Sequence, residues 1–183
     1  MIASLPTLIS GLRLLAGPLI LALYLLSYSP KVLTVIFILA SLSDALDGVL
    51  ARRWNCCTKV GAWLDHLADK VLVTSTLFVL CLYWPQRILI FLTWLIVQRE
   101  LIALSARSYP VALKTEAGET FAVSILGKMK TVLQCVSITL LLLSWVYDCG
   151  SILGYGLVLL AFSAALGWIS LGDYYRRLLF PGG

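Results

Sequence analysis

Long apolar runs divide the chain into segments of similar length. Six such runs alternate with short breaks that contain proline, glycine or clustered charge, such as Ser29-Pro30 and Trp84-Pro85. Each run is close to the ~20 residues that an α-helix needs to cross the hydrocarbon core of a bilayer. The pattern predicts six transmembrane helices, with bounds near residues 10–28, 31–53, 60–83, 86–106, 122–147 and 152–175.

The amino-terminal residues differ from these runs. Residues 2–12 are apolar, but Pro6 interrupts them and Arg13 follows them. This pattern favours a short helix that lies in the plane of the membrane surface. Residues 1–26 as a whole have no basic residues before their apolar run and no convincing cleavage site after it, so we expect them to be retained rather than removed as a secretory signal.

The composition agrees with a membrane protein. Of the 183 residues, 61% are hydrophobic and 13% are charged, and the mean hydropathy is +0.97. A soluble domain has about half apolar and about a quarter charged residues. Since six helices use most of the chain, we expect an all-α integral membrane protein with a single domain over residues 1–183.

The basic residues are distributed unevenly between the two sides of the predicted bundle. One side holds nine of them: Arg52, Arg53, Lys59, Arg107, Lys114, Lys128, Lys130, Arg176 and Arg177. The opposite loops hold two, Lys31 and Arg87. Lysine and arginine accumulate on the cytoplasmic side of membrane proteins, so both termini are predicted to be cytoplasmic. Anionic lipid explains the net charge of +5, and no nucleic-acid partner is expected.

Four of the nine acidic residues lie within 26 positions: Asp44, Asp47, Asp65 and Asp69. Spacings of three and four residues return to the same face of a helix. Each pair of aspartates therefore forms a stripe, one at the end of the second predicted helix and one at the start of the third. The short connection makes these helices antiparallel neighbours, so the two stripes are predicted to face each other.

Carboxylates beside hydrocarbon are costly unless they are neutralised, and two divalent cations would balance these four. Ligand sets made only of oxygen favour Mg2+, Mn2+ or Ca2+ over zinc. A pair of such ions is suited to holding a diphosphate and stabilising its displacement. Gly48 and Gly61 leave space for a ligand. Arg52 lies on the same helix face as the first two aspartates, where its guanidinium group can offset phosphate charge.

A pathway for protons or cations is the alternative that these charges leave open. Transport pathways more often distribute polar groups over several helices and interrupt corresponding segments in two halves of a chain. Here the aspartates are confined to one predicted helical hairpin, with two glycines and an arginine between them. The arrangement therefore favours a metal site.

The string D-x2-D-G-x2-A-R-x8-G-x3-D-x3-D, from Asp44 to Asp69, matches without a gap the signature of the CDP-alcohol phosphotransferase family. Residues 5–13 are similar to the amino-terminal P-[NT]-x2-[TS]-x2-R segment of that family. Arg99-Glu100, Arg107 and residues 127–134 resemble the branch that makes phosphatidylglycerol phosphate. The resemblance covers approximately residues 5–135, and the last predicted helix matches only in hydropathy.

The resemblance implies an enzyme that is usually a homodimer with six spans. Its substrates would be the membrane lipid CDP-diacylglycerol and sn-glycerol 3-phosphate, and its products would be phosphatidylglycerol phosphate and CMP. The implied cofactors are two divalent cations, Mg2+ or Mn2+, with the ligands Asp44, Asp47, Asp65 and Asp69. Asp69 would also be the catalytic general base. The residues implied to line the CDP site are Gly48, Ala51, Arg52 and Gly61.

The implied location is the cytoplasmic (inner) membrane of a bacterium, with the active site on the cytoplasmic side. Glycerol 3-phosphate is an anion of the cytosol, so its pocket should be basic. Arg107, Lys128 and Lys130 are the residues that we expect to bind its phosphate, and ordinary basic loop positions are the alternative for them. Inositol phosphate, serine and phosphatidylglycerol are alternative acceptors, and only residues 99–134 favour glycerol phosphate over them.

Several other ionisable residues have roles that the sequence leaves open. Arg99 and Glu100 fall inside the fourth predicted helix, where an ion pair between helices and contact with substrate are both compatible with the pattern. His66 follows the third aspartate, where relatives often carry proline, and a local hydrogen bond is favoured over a catalytic role. Lys70 and Arg13 are interpreted as structural, or as extending along apolar surface towards the headgroups.

Overall fold

The computed structural model describes residues 5–54, 59–112 and 125–179 of the chain. Within these ranges the side chains are described except for those of residues 5–10, 44–54, 59–66, 106–112, 125–128, 174 and 177–179. The described residues form six α-helices and no strand: α1 Leu5–Leu25, α2 Pro30–Trp54, α3 Lys59–Tyr83, α4 Arg87–Ala112, α5 Ile125–Tyr147 and α6 Gly150–Leu179. The predicted all-α class is confirmed.

Tight turns connect α1 with α2 and α5 with α6. Ser27 and Asp148, each within two residues of the preceding helix end, have left-handed backbone conformations with φ of 59° and 49°. A left-handed residue just after the last turn is a common way for a helix to end. Pro30 then takes the first position of α2, where a missing N–H group costs nothing. These turns coincide with two of the breaks predicted from the sequence.

The amino-terminal segment does not form the separate interfacial helix that we predicted over residues 2–12. Its described part, from Leu5 onward, is the first part of α1, which continues through Arg13 to Leu25. Pro6 is the second residue of this helix. Proline is tolerated in a first turn because the N–H groups there have no partner within the helix. The described helix therefore continues through Pro6, as it does through Pro18, and the interpretation of Pro6 as a break was wrong.

Three helices are long and apolar enough to cross a membrane, judged by length and composition over the described residues. They are Arg87–Ser105 in α4, Met129–Tyr147 in α5 and Gly150–Asp173 in α6. Shorter apolar stretches, Gly11–Leu25 and Pro30–Ser43, lie in α1 and α2. The charged residues of the aspartate motif lie in α2 and α3 and limit the apolar length of both. These helices support a membrane protein, and a crossing by all six stays a prediction.

The helices pack around one apolar core. In the described part of the chain, α1 with α3 and α5 with α6 are the most extensively packed pairs. Gly17 permits the close approach of α1 to α3, because a Cβ atom there would lie only 2.9 Å from the backbone oxygen of Val71. Every helix buries large apolar side chains in the core, among them Ile20, Phe37, Leu77, Leu89, Leu141 and Leu160. Other large apolar side chains, such as Phe91 and Trp94, are exposed, as expected for surfaces that face lipid.

The two ends of the bundle differ in chemistry. At the end that we call the polar end, charged side chains of three helices meet, represented by Asp69, Glu100 and Lys130. At the other end, the aromatic end, the rings of Tyr83 and Trp145 stack with their centroids 4.1 Å apart. Asp69 and Tyr83 belong to the same helix and are separated by about 21 Å along its axis, at 1.5 Å per residue. The candidate chemistry is therefore confined to the polar end.

The close approach at Gly17 makes a prediction about stability. Gly17→Ala should lower the apparent melting temperature of the purified protein in detergent by about 4–8 °C, because the new methyl group would be forced against backbone. Gly154→Ala is the control, since a Cβ atom there has nothing within 4 Å. It should leave the melting temperature unchanged or raise it, because alanine favours a helix over glycine. A Gly17→Ala protein as stable as the control would contradict the described packing.

Candidate active site

The aspartate motif falls on two helices that contact each other. Asp44 and Asp47 are on α2, Asp65 and Asp69 are on α3, and α2 contacts α3. The predicted placement of the motif on two helices is confirmed. The side chains of Asp44, Asp47 and Asp65 lie outside the described residues, so the facing of the four carboxylates stays a prediction. No group of three potential metal ligands occurs among the side chains that are described, which include only Asp69 of the four.

The other predicted site residues lie on the same helices and on their neighbours. These are Gly48, Ala51 and Arg52 on α2, Gly61 and His66 on α3, Arg107 on α4 and Lys128 on α5. The surroundings of all seven lie outside what the structure describes, so their predicted roles stay predictions. Arg107 and Lys128 occupy helix positions on either side of residues 113–124, rather than positions in the connection itself.

Asp69 is the member of the motif whose surroundings are described. Its side chain is 19% exposed, so it is largely buried and still reachable. Its Oδ2 atom lies 3.5 Å from the Nζ atom of Lys70, the next residue in α3. The same ammonium group lies 2.8 Å from Oε2 of Glu100 on α4. Lys70 thus links the motif, which lies on α2 and α3, to a third helix, and the sequence analysis did not predict this connection.

Glu100 is the centre of a buried charge cluster. Its side chain is 11% exposed and pairs with three cationic groups. Oε2 faces Lys70, whereas Oε1 accepts a hydrogen bond from Nη1 of Arg99 at 2.8 Å and another from Nζ of Lys130. Buried charges are retained only when they are paired and hydrogen-bonded. The Glu100 carboxylate therefore holds α3, α4 and α5 together at the polar end.

Helix α6 packs against the charge cluster and hydrogen-bonds to two of its residues, Arg99 and Lys130. Arg99 donates from Nε to the backbone oxygen of Gly167 at 3.0 Å, and the Ser163 hydroxyl donates to the backbone oxygen of Lys130 at 3.1 Å. A Cβ atom on Gly167 would lie 3.3 Å from Cδ of Lys130, so the missing side chain makes room for the lysine stem. The sequence analysis identified α6 by hydropathy alone. Gly167 contributes a backbone oxygen and the absence of a side chain, and neither produces a charge pattern that the sequence analysis could detect.

Lys130, which we expected to bind the acceptor phosphate, has its ammonium group paired with Glu100 in this cluster. Its side chain is 5% exposed and bonded to Glu100. The cavity beside it has a volume of about 10 Å³, which is room for roughly one water molecule and too little for a phosphate group. For Arg99 and Glu100, the two roles left open by the sequence are an ion pair and substrate contact. The 2.8 Å contact between them is an ion pair within α4, and the ion pairs that join helices are those of Glu100 with Lys70 and Lys130.

Arg13 is a second polar-end residue whose environment the sequence did not predict. It is 2% exposed, although it is the only charged residue before Lys31. Its Nε and Nη2 atoms each lie 3.4 Å from the Ser43 hydroxyl oxygen on α2. Ser43 immediately precedes Asp44. An arginine directed to the headgroups would be more exposed, so Arg13 instead joins α1 to the part of α2 that carries the motif.

The donor set of the motif fits hard divalent cations. It consists of four carboxylates, and ligand sets made only of oxygen suit Mg2+ and Mn2+. Asp69 is partly exposed at the polar end, where an ion could reach it. The Nζ atom of Lys70 lies 3.5 Å from Oδ2 of Asp69, farther than in an ordinary N–H···O hydrogen bond, so this contact leaves the Asp69 oxygens available to an ion.

Comparison with known proteins identifies a family. Residues 3–170 match the family model described as CDP-alcohol phosphatidyltransferase, the family that the aspartate motif resembles. The Arabidopsis thaliana protein named CDP-diacylglycerol--glycerol-3-phosphate 3-phosphatidyltransferase 1, chloroplastic/mitochondrial, is 34% identical over 97% of this chain and 63% of its own length. The Escherichia coli (strain K12) protein named CDP-diacylglycerol--glycerol-3-phosphate 3-phosphatidyltransferase is 35% identical over 76% of each chain.

A third relative carries a different name. The Oryza sativa subsp. japonica protein named cardiolipin synthase (CMP-forming) is 33% identical over 96% of this chain and 57% of its own length. This chain therefore spans less than two thirds of the length of the rice protein and of the Arabidopsis thaliana protein.

Proposed function

Because the chain belongs to the CDP-alcohol phosphatidyltransferase family, we propose that it transfers the phosphatidyl group of CDP-diacylglycerol to sn-glycerol 3-phosphate. The products would be phosphatidylglycerol phosphate and CMP. The Arabidopsis thaliana and Escherichia coli relatives are named for this reaction. The observation that carries the proposal is the unbroken aspartate motif on two contacting helices, within the residues that match the family.

In the proposed site, Asp44, Asp47, Asp65 and Asp69 hold two divalent cations, Mg2+ or Mn2+. When bound, these ions would neutralise the charge of the diphosphate and stabilise its displacement. Gly48, Ala51 and Gly61 leave space along α2 and α3 for the cytidine diphosphate group, and Arg52 contacts its phosphates. A guanidinium group suits this role because it can bind two phosphate oxygens at once.

The reaction proposed for this site is a single displacement. Asp69 takes the proton of the acceptor hydroxyl while the hydroxyl oxygen forms a bond to the β-phosphorus of CDP-diacylglycerol. The bond from that phosphorus to the CMP oxygen breaks, and CMP leaves with the electron pair. Arg52 offsets the negative charge that develops on CMP. A carboxylate is a weak base, and it suffices here because the hydroxyl becomes more acidic as its oxygen bonds to phosphorus.

We place the phosphate of glycerol 3-phosphate against Arg107 and Lys128, which belong to α4 and α5. Lys130 adds positive charge to the same region. Direct contact between Lys130 and the phosphate would require it to exchange its bond with Glu100. A basic pocket suits an anionic acceptor, and it would disfavour a neutral alcohol by comparison.

The membrane arrangement is also a proposal. We infer six membrane crossings in the cytoplasmic (inner) membrane of a bacterium, both termini and the polar end on the cytoplasmic side, and a homodimer. The excess of basic residues on one side of the bundle supports this orientation. The acyl chains of CDP-diacylglycerol would remain in the bilayer while its head group reaches the polar end, where glycerol 3-phosphate arrives from the cytosol.

One observation favours a second candidate acceptor. The rice relative is named a CMP-forming cardiolipin synthase. On that model the donor and the released CMP are unchanged, and phosphatidylglycerol takes the place of glycerol 3-phosphate. The two candidates differ in whether the acceptor is a soluble phosphate ester or a second lipid, so a choice of acceptors in one assay separates them.

The test is CMP release from CDP-diacylglycerol by the purified protein, with glycerol 3-phosphate, phosphatidylglycerol, serine or inositol phosphate in turn. In Mg2+ or Mn2+ we expect glycerol 3-phosphate to react at least about 100-fold faster than the others. Faster release with phosphatidylglycerol would favour the second candidate. No release with any acceptor, together with proton or cation flux through liposomes that contain the protein, would replace the enzyme with the transport alternative.

A further inference from the structure

Glu100, Lys70 and Asp69 form a line of contacts from the charge cluster to the aspartate motif. Glu100 uses its oxygens differently: Oε1 accepts from Arg99 and Lys130, and Oε2 lies 2.8 Å from Nζ of Lys70. Lys70 in turn lies 3.5 Å from Oδ2 of Asp69. The ammonium group of Lys70 therefore contacts a carboxylate on α4 and a carboxylate of the motif on α3.

Helix geometry alone does not bring Lys70 to Asp69. Successive residues of an α-helix point about 100° apart and do not face each other. A lysine side chain also loses much rotational freedom when it is held in one conformation. The contact with Asp69 therefore needs a constraint from another helix. The 2.8 Å ion pair between Lys70 and Glu100 provides it.

Glu100 is itself held firmly. Arg99, which bonds to it, is fixed to the backbone oxygen of Gly167 at 3.0 Å. Lys130, its other partner on the Oε1 side, belongs to a helix that Ser163 ties to α6 through the Lys130 backbone oxygen. The cavity beside these groups, about 10 Å³, is too small for a substrate phosphate. The contacts that the structure describes for the Glu100 carboxylate are all with cationic side chains of the protein.

We propose that Glu100 is a positioning residue for the reaction. It holds the ammonium group of Lys70 against Oδ2 of Asp69, and so directs Oδ1 towards the acceptor hydroxyl. This inference rests on the proposed function, in which Asp69 is the general base. Sharing Lys70 between two carboxylates keeps it near Asp69 without letting it bind both oxygens of the base.

Loss of the Glu100 charge should misplace the base. Lys70 would then have Asp69 as its only carboxylate partner among the described residues. It would either move onto Asp69 and occupy the oxygens that the reaction needs, or leave Asp69 without a fixed orientation. Both outcomes slow the chemical step. In both outcomes the residues that contact the cytidine diphosphate group are still present, so binding of CDP-diacylglycerol should be retained.

The test compares Glu100→Gln, Lys70→Met and the double variant in the full-length protein. For each single variant, kcat per folded molecule should fall by about 10–100-fold. The KM of both substrates, and the Kd of CDP-diacylglycerol measured by titration without acceptor, should stay within about threefold. The double variant should be no slower than the slower single variant, because both changes remove one contact. The exposed Lys31, far from the cluster, supplies the control Lys31→Met, which should match the unaltered protein.

A purely structural role for Glu100 gives a different result. It predicts a lower yield and melting temperature, an unchanged kcat per folded molecule and additive effects in the double variant, and these results would overturn the proposal. Lys70→Arg should recover activity to within about fivefold of the unaltered protein, since a guanidinium group can also bridge two carboxylates. No recovery would count against the bridging role.

The remaining outcomes are also decisive. If Glu100→Gln does not fold, Lys70→Met decides: a loss of kcat with unchanged binding of CDP-diacylglycerol supports the proposal, and full activity overturns it. An unaltered protein that releases no CMP overturns the proposed function and this inference with it. An active protein whose Glu100→Gln variant is equally active overturns this inference alone.

Discussion

Asp69→Asn is expected to abolish turnover, with a fall in kcat of about a thousandfold or more, while part of the binding of CDP-diacylglycerol survives. Asparagine keeps the shape of the side chain, but its amide cannot take the proton of the acceptor hydroxyl. It is also a weaker ligand for a hard cation than a carboxylate is. The other three aspartates would still hold cations and Arg52 would still contact the diphosphate, so binding should weaken rather than disappear.

The measurement pairs CMP release with a direct titration of CDP-diacylglycerol. Asp148→Asn is the matched control, because Asp148 is exposed and adjoins α5 at the aromatic end. Its left-handed backbone, φ 49°, is one that asparagine adopts readily. This control should keep full activity. If Asp69→Asn turned over at a rate close to that of the control, Asp69 would lose its role as the base.

Removal of divalent cations should have the second large effect. After treatment with EDTA, we expect CMP release to fall at least about 100-fold and to return with Mg2+ or Mn2+, because four carboxylates around a diphosphate repel it unless ions are present. Asp65→Asn should raise the metal concentration for half-maximal activity by more than about tenfold. Potassium chloride at matched ionic strength controls for general screening.

The metal prediction has a clear contrary outcome. Protein that has been treated with EDTA and keeps its full rate would show that the carboxylates act without ions. An unchanged metal requirement in Asp65→Asn would place the ions elsewhere. Either result would separate the aspartate motif from the role that we assign to it.

The helices could be predicted from the sequence because apolar length and helix breakers are local properties. The tight turns at Ser27 and Asp148 fall where polar residues, glycine or proline interrupt the pattern. The amino-terminal helix was mispredicted for a reason that is also local. Proline is tolerated in the first turn of a helix, α1 also continues through Pro18, and hydropathy does not show whether Pro6 interrupts a helix.

The aspartate motif could be found because its residues share fixed spacings on two helices that adjoin in sequence. Asp69 could be assigned to it in this way. The charge cluster that holds Lys70 beside Asp69 could not be predicted, because the ion pairs of Lys70 and Lys130 with Glu100 join three helices. Such pairs depend on how each helix is rotated and on how deeply it packs. For the same reason Lys130 could be predicted only as a basic residue near the site.

Contributions that carry no charge were the hardest to predict. Gly167 acts through its backbone oxygen and through the absence of a side chain, and Ser163 through a single hydroxyl.

Arg13 gave a detectable signal, a lone charge in an apolar segment, but its burial against Ser43 depends on the packing of α1 on α2. A polar residue in an apolar helix therefore indicated a polar partner elsewhere in the protein, and the structure was needed to identify that partner.

The central claim is that α2 and α3 together hold a pair of divalent cations with the four aspartates. Anomalous X-ray diffraction from crystals grown with Mn2+ and CDP-diacylglycerol tests it most directly. We predict two anomalous peaks between α2 and α3, with carboxylate oxygens of Asp44, Asp47, Asp65 and Asp69 about 2–2.5 Å away. Crystals that bind the lipid but show no peak there, with these carboxylates turned away from one another, would contradict the account.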